Sequence, residues 1–253
     1  MLKTERMDRV RAALRAQGLT QMIVCDPKSV WYLTGVAVEP YERLLALYLP
    51  TEGEPVLFLN RLFNVPEPPC RTVWHTDTDK PVAQIAEVVD AGRPLGIDKE
   101  WPAKFLIPLM ETHPGMQVVL SSDCVDDCRA CKDAEEQTLM REASRINDAV
   151  NEAAKHYIKA GMTEREVAEF IDAQFRAHGC EGPSFTTIVS FGANAADPHH
   201  EPDDTVLKEG DCVLFDMGCV KSRYCSDMTR TWFCGQPTEK QAAVHDLVRR
   251  ANE

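Results

Sequence analysis

Apolar positions in the first half of the chain switch repeatedly between helical and strand spacing. Residues 9–16 carry a helical pattern that stops at Gly18, and Met22, Ile23, Val24 and Cys25 then form an unbroken apolar run of strand length. Residues 44–49 and 56–59 are strand-like, and the proline- and glycine-bearing stretch between them punctuates a hairpin. Val82, Ile85, Ala86 and Val89 share a helical face that ends at Gly92. A short strand over 94–97, a helix opening at Pro102 and a strand over 116–120 complete the set. The spacing predicts an α/β domain over residues 1–131, a mixed sheet flanked by helices.

The pattern changes near Cys131-Lys132-Asp133. Leu139, Ala143, Ile146, Val150, Ala153 and Tyr157 recur by threes and fours, which predicts one long amphipathic helix over 134–160. Thr163 and Glu166 form a capping box for a second helix through Val167, Phe170 and Ile171 to Gly179. Strand candidates follow at 185–191, 211–218 and 226–233, and Thr238 with Gln241 caps a further helix. The sequence stops at Glu253 while the pattern is still helical. We therefore expect an α+β domain over 132–253 that is incomplete as given. Its sheet edge and apolar face should stand uncovered, favouring association or aggregation.

Charge and composition narrow the function. A net charge of -12 argues against nucleic acid, whose phosphates require a basic face. No apolar run reaches the roughly 18 to 20 residues of a membrane span. The N-terminal residues Met1 to Arg6 precede no signal-like apolar segment, so a cytoplasmic chain is expected. The ten cysteines, in a chain of this size without a secretory signal, read as free and mostly buried thiols.

The chemistry concentrates between Ser190 and Thr231. Asp216 interrupts the apolar run Val213-Leu214-Phe215-Asp216-Met217-Gly218, where an acid needs something to satisfy it. A hairpin turning at Lys221-Ser222 would set Asp216 directly opposite Asp227, with Cβ atoms about 4.5–5.5 Å apart. Two such carboxylates can share a proton or hold divalent cations, and oxygen ligands favour manganese, magnesium or calcium. The alternative is two unrelated acids, one of them salt-bridged. His199 and His200 lie on the loop Pro198-His199-His200-Glu201-Pro202, either as proton carriers or metal ligands, or as plain exposed histidines. Cys124, Cys128 and Cys131 fall at helical spacing but lack a second ligand group, which favours an incidental cluster.

The order Pro198-His199, Gly210-Asp211, Asp216-Met217-Gly218 and Ser226-Asp227-Met228-Thr229-Arg230-Thr231 resembles the first half of the catalytic domain of the creatinase-like "pita-bread" metallopeptidases. That family includes Xaa-Pro dipeptidases and Xaa-Pro aminopeptidases. Further stretches are similar to family features: Val30 to Gly35 to an N-terminal "YLTG" signature, Lys132 to Glu136 to the interdomain linker, and Ala160 to Glu164 to a "pGxTE" turn. The resemblance implies that Asp216 and Asp227 are two of five ligands to two divalent metal ions, manganese or cobalt, with Asp227 bridging. It implies that His199 sits beside the substrate and that His200 has no assigned role. The implied reaction is cleavage of a small peptide with proline at its second position, by a cytoplasmic homodimer. The family's remaining His and two Glu ligands have no counterpart after Thr231. A fragment, inactive by itself, is expected over a short gene product. Two rivals stay open: a non-catalytic binding module, and a creatinase-like C–N hydrolase or lyase.

Overall fold

Strand β1 (Gln21–Val24) is buried along its whole length, which places it inside a sheet covered on both faces. The structure is a computed structural model. It describes residues 2–253, in two compact units that divide between Lys132 and Asp133.

In the first unit β1 lies within a six-stranded mixed sheet of order β4-β3-β2-β1-β5-β6. β2 (Ala46–Pro50) and β3 (Val56–Asn60) form the expected antiparallel hairpin. β4 (Arg71–His75), β5 (Leu95–Ile97) and β6 (Val118–Leu120) run parallel to β3, β1 and β5 respectively. The period of two sorts side chains into two cores. Met22, Val24, Leu47 and Leu57 pack with α1 (Thr4–Ala16), α2 (Pro27–Thr34) and α5 (Asp123–Ala130). Ile23, Ala46, Phe58 and Leu95 pack instead with Ile85 of α3 (Pro81–Ala86) and Leu109 of α4 (Ala103–Thr112). Two elements were not legible as such. Helix α2 is too short for periodicity and is held by its ends: Asp26 accepts from the Ser29 amide at 2.8 Å, and Gly35 closes it at φ 75°. β4, the outermost strand, is partly exposed and shows no clean alternation.

The second unit packs two helices on small antiparallel sheets. α6 (Ala134–Tyr157) starts at a capping box between Asp133 and Glu136 and ends at the extended Ile158, short of the predicted end at 160. α7 (Glu164–Ala177) starts at the Thr163–Glu166 box. One sheet has the order β12-β9-β8, built from β8 (Ile188–Phe191), β9 (Cys212–Met217) and β12 (Met228–Phe233). The other is β11-β10-β7, from β7 (Gly182–Pro183), β10 (Cys219–Lys221) and β11 (Tyr224–Cys225). Ala143, Val150, Val167, Ile171 and Phe175 of the two helices meet Val189, Phe191, Val213, Phe215 and Met217 of the sheet. α8 (Glu239–Asn252) buries no residue, and its Val244, Leu247 and Val248 form an exposed apolar stripe.

The Thr163 cap sets where α7 begins, and α7 in turn carries a buried acid of the site. Thr163→Ala removes the acceptor for the Glu166 amide and is expected to cost about 1 kcal/mol, read as a lowered denaturation midpoint at unchanged slope.

No helix among the described residues is long and apolar enough to cross a membrane.

Candidate metal and catalytic site

The hairpin that carries both aspartates turns one residue later than the sequence reading places it. Lys221 pairs with Tyr224, so the two-residue turn is Ser222-Arg223, and both residues take positive φ, 50° and 67°. That is the backbone of a type I′ turn, whose twist matches the strands it joins. A turn shifted by one residue moves every partner by two. Asp216 therefore faces Thr229, and the direct Asp216–Asp227 pairing is incorrect. Because side chains alternate with period two, a two-residue shift keeps the face. The same register sets Gly218 opposite Asp227. The two aspartates are then diagonal neighbours on one face, a separation of roughly 7–8 Å between such positions.

That face is the one turned away from the helices. Val213, Phe215 and Met217 point into the core, while Leu214 and Asp216 alternate to the other side, joined there by Ser190 of β8 and by Thr229 and Thr231 of β12. The Asp216 Oδ1 atom is buried and has no hydrogen-bond partner, and the Ser190 Oγ atom on the same face is in the same condition. A buried carboxylate oxygen without a donor is costly, of the order of 1–3 kcal/mol or more for a charged group. A bound cation would remove that cost. Asp227 is exposed and follows Ser226, whose hydroxyl accepts from the Cys219 amide at 3.0 Å and so fixes the chain just before it. Two oxygen donors on one face, one of them unsatisfied, fit a hard divalent cation.

Gly218 lets the strand pass from one sheet to the other. A Cβ there would lie 2.0 Å from the Ser226 carbonyl oxygen and 2.3 Å from Ser184 Oγ. Those two atoms are themselves bonded, the Ser184 hydroxyl donating to the Ser226 carbonyl at 2.8 Å. The crossing strand must therefore be bare where Asp216 and Asp227 approach.

His199 lies on the expected loop, which begins with a 3-10 turn over Gly192–Ala196. Its side chain is exposed, and its amide donates to Asp197 Oδ1 at 2.9 Å. The loop leaves β8 beside Val213, three rungs from Asp216, or roughly 10 Å along the strand. No hydrogen bond among the described residues joins His199 to either aspartate. His200 differs from its neighbour: its Nε2 lies 2.6 Å from Oε2 of Glu164, a fully buried acid at the start of α7. Asp203 completes a trio of candidate ligand atoms with these two. The Thr205 hydroxyl and amide hold the Asp203 carboxyl below its usual range. That contribution is present at neutral pH and fades as pH falls below the ordinary value of 3.8.

Sequence reasoning missed Glu164 and Ser190. A glutamate in a first helical turn usually signals only a solvated acid at the dipole's positive end, and nothing in the local pattern reports its burial.

The cysteine cluster is not a thiolate face. All ten cysteines are free; Cys124 is buried, Cys128 half-buried and Cys131 exposed. Burial pushes the Cys124 thiol up to about 11, which keeps it protonated and unreactive at neutral pH. In the first unit a cavity of about 560 Å³ opens beyond the carboxyl ends of β1 and β5. Most of its lining cations are already engaged: Arg129 with Asp26, Lys99 with Asp126, and Arg43 with Asp77.

Comparison with known proteins shows the family and the fold. Residues 6–131 match the creatinase/prolidase N-terminal domain, and residues 138–253 match metallopeptidase family M24. An uncharacterized peptidase of Staphylococcus epidermidis is 30% identical over 246 residues, covering 96% of this chain and 70% of that protein. Among solved structures, a prolidase from Thermococcus sibiricus superposes with a TM-score of 0.90 at 29% identity, over 99% of this chain and 71% of that one. The dipeptidase PepE from Mycobacterium ulcerans superposes with a TM-score of 0.89 at 30% identity, over 98% of this chain and 69% of that one. The chain thus spans about 70% of the length of these relatives. The two family matches, the relative and the shared fold agree: this chain belongs to the creatinase-like metallopeptidases of family M24.

Proposed function

We propose that the chain supplies Asp216 and Asp227 as metal ligands and His199 as the substrate-side histidine of a peptidase that cleaves the bond between an N-terminal residue and proline. The observation that carries this reading is the buried Asp216 Oδ1 atom without a donor, on the same hairpin face as Asp227. Divalent cations bound there, manganese or cobalt, would polarise the scissile carbonyl and lower the pKa of bound water. The hairpin holds the two carboxylates on one face at fixed rungs. The exposed imidazole of His199 is available to bind the peptide or carry a proton beside them. The naming of the relatives as a prolidase and a dipeptidase supports a small peptide substrate.

Further ligands are assigned to residues outside these 253. The group of three candidate ligand atoms among the described residues is Glu164, His200 and Asp203, which includes neither aspartate of the hairpin. Two carboxylates alone should hold manganese only weakly, because hard divalent cations are bound by about six or more oxygen ligands. The chain by itself is accordingly expected to show negligible turnover of an Xaa-Pro dipeptide with manganese present. Robust hydrolysis abolished by a chelator would show that these residues already suffice and would overturn the assignment of ligands elsewhere.

A further inference from the structure

We propose that Glu164 is a positioning residue: its buried carboxylate gathers the loop between β8 and β9 into the path that presents His199, and His200 serves this clamp and not the metal. The inference rests on the reading of His199 given above.

The Glu164 side chain is fully buried and receives donors from three points along the loop. Its Oε1 accepts from the Phe191 amide at 2.7 Å and from Asn194 Nδ2 at 3.0 Å. Its Oε2 accepts from the Asp203 amide at 3.2 Å and lies 2.6 Å from His200 Nε2. A carboxylate only accepts, so His200 Nε2 must carry the hydrogen. Asn194 spends its two amide hydrogens on Glu164 and on Thr205 Oγ1, at 3.1 Å. Its approach of 3.1 Å to His200 Nε2 is then a contact without a shared proton.

These donors bracket His199. Phe191 and Asn194 lie at the loop's entry, His200 beside the histidine itself, and Asp203 at the exit. Helix α7 grips the exit a second time, its first amides donating from Glu164 to the Thr205 carbonyl at 3.1 Å and from Arg165 to the Asp203 carbonyl at 3.2 Å. The helix N-terminus also favours a negative charge at Glu164. With four donors on its two oxygens and the dipole behind it, this carboxylate is satisfied without a cation. Within the trio of Glu164, His200 and Asp203, both Glu164 oxygens and the His200 Nε2 hydrogen are already used by one another and by the loop, as a clamp requires. This contrasts with the unsatisfied oxygen of Asp216.

The test compares Glu164→Gln, His200→Leu, His200→Gln and His199→Ala in the protein that carries the complete ligand set, assayed well below its melting temperature. Misplacing a reacting group by about 1 Å can cost about a hundredfold in rate. Glu164→Gln and His200→Leu should each lower kcat by about that factor, with KM and manganese uptake little changed. His200→Gln keeps a donor for Glu164 and should recover most of the loss. Glutamine keeps one accepting oxygen, so in Glu164→Gln whichever of the Phe191 and Asp203 amides is left facing the new side-chain NH2 should lose protection from hydrogen exchange while the middle of α7 keeps it. Should Glu164→Gln fail to fold, the pair at His200 decides the question.

Full turnover in folded Glu164→Gln and His200→Leu, with His199→Ala inactive, would reduce the clamp to scaffolding while leaving the role of His199 intact. Full turnover in His199→Ala would remove the role of His199 and the positioning claim together. Loss of manganese binding in Glu164→Gln or His200→Leu would make the trio a metal site and overturn the proposal.

Discussion

Replacing Asp227 by alanine is expected to abolish peptidase activity in the protein carrying the full ligand set, by about a thousandfold or more, and to weaken manganese binding in parallel. A metal ion contributes several kcal/mol of transition-state stabilisation, and each 1.36 kcal/mol is a factor of ten in rate. Asp227 is exposed, so its removal leaves no cavity and no orphaned partner in the fold. The melting temperature without metal should therefore stay near that of the parent. The metal-dependent rise in melting temperature should vanish. Calorimetric titration with manganese, paired with melting curves at several manganese concentrations, separates the two effects. An Asp227→Ala protein that still binds manganese tightly and still turns over peptide would remove Asp227 from the site.

The second large effect belongs to a residue with no side chain. Gly218→Ala should destabilise the second unit by about 3 kcal/mol, the upper part of the range for forced overpacking. The new methyl would meet the Ser226 carbonyl at 2.0 Å and Ser184 Oγ at 2.3 Å, and one of those is main chain that cannot rotate aside. The strand would have to move away from Ser226, carrying Asp216 away from Asp227. Denaturant unfolding reads the stability loss, and manganese titration of the fraction that remains folded reads the displacement. A Gly218→Ala protein of parental stability and metal affinity would show that the crossing is looser than its contacts imply.

These two positions show what the sequence could and could not disclose. Asp216 stood out because an acid in an apolar run is expensive, and that argument needs no coordinates. Its partner was misjudged because Ser222-Arg223 lacks the Asn-Gly or Asp-Gly signature that marks a type I′ turn. The hairpin's register was thus invisible, and the face survived only because the error was an even number of residues. The long helices were legible in their hydrophobic spacing and capping boxes: Thr163 with Glu166, and Thr238 with Gln241, fall where α7 and α8 start. Short elements were not, since α2 is defined by its Asp26 cap and Gly35 stop, and β10 and β11 are only three and two residues long. The clamp under His199 was hidden for a different reason. Glu164, Asn194, His200 and Asp203 meet only after the loop has folded back on α7, and no local pattern encodes that return.

Anomalous diffraction from manganese-soaked crystals of the protein with its complete ligand set tests the central claim most directly. The account predicts manganese peaks within bonding distance of the carboxylates of both Asp216 and Asp227, with none at Glu164. Manganese bound at Glu164, His200 and Asp203, or no ion touching Asp216, would contradict it.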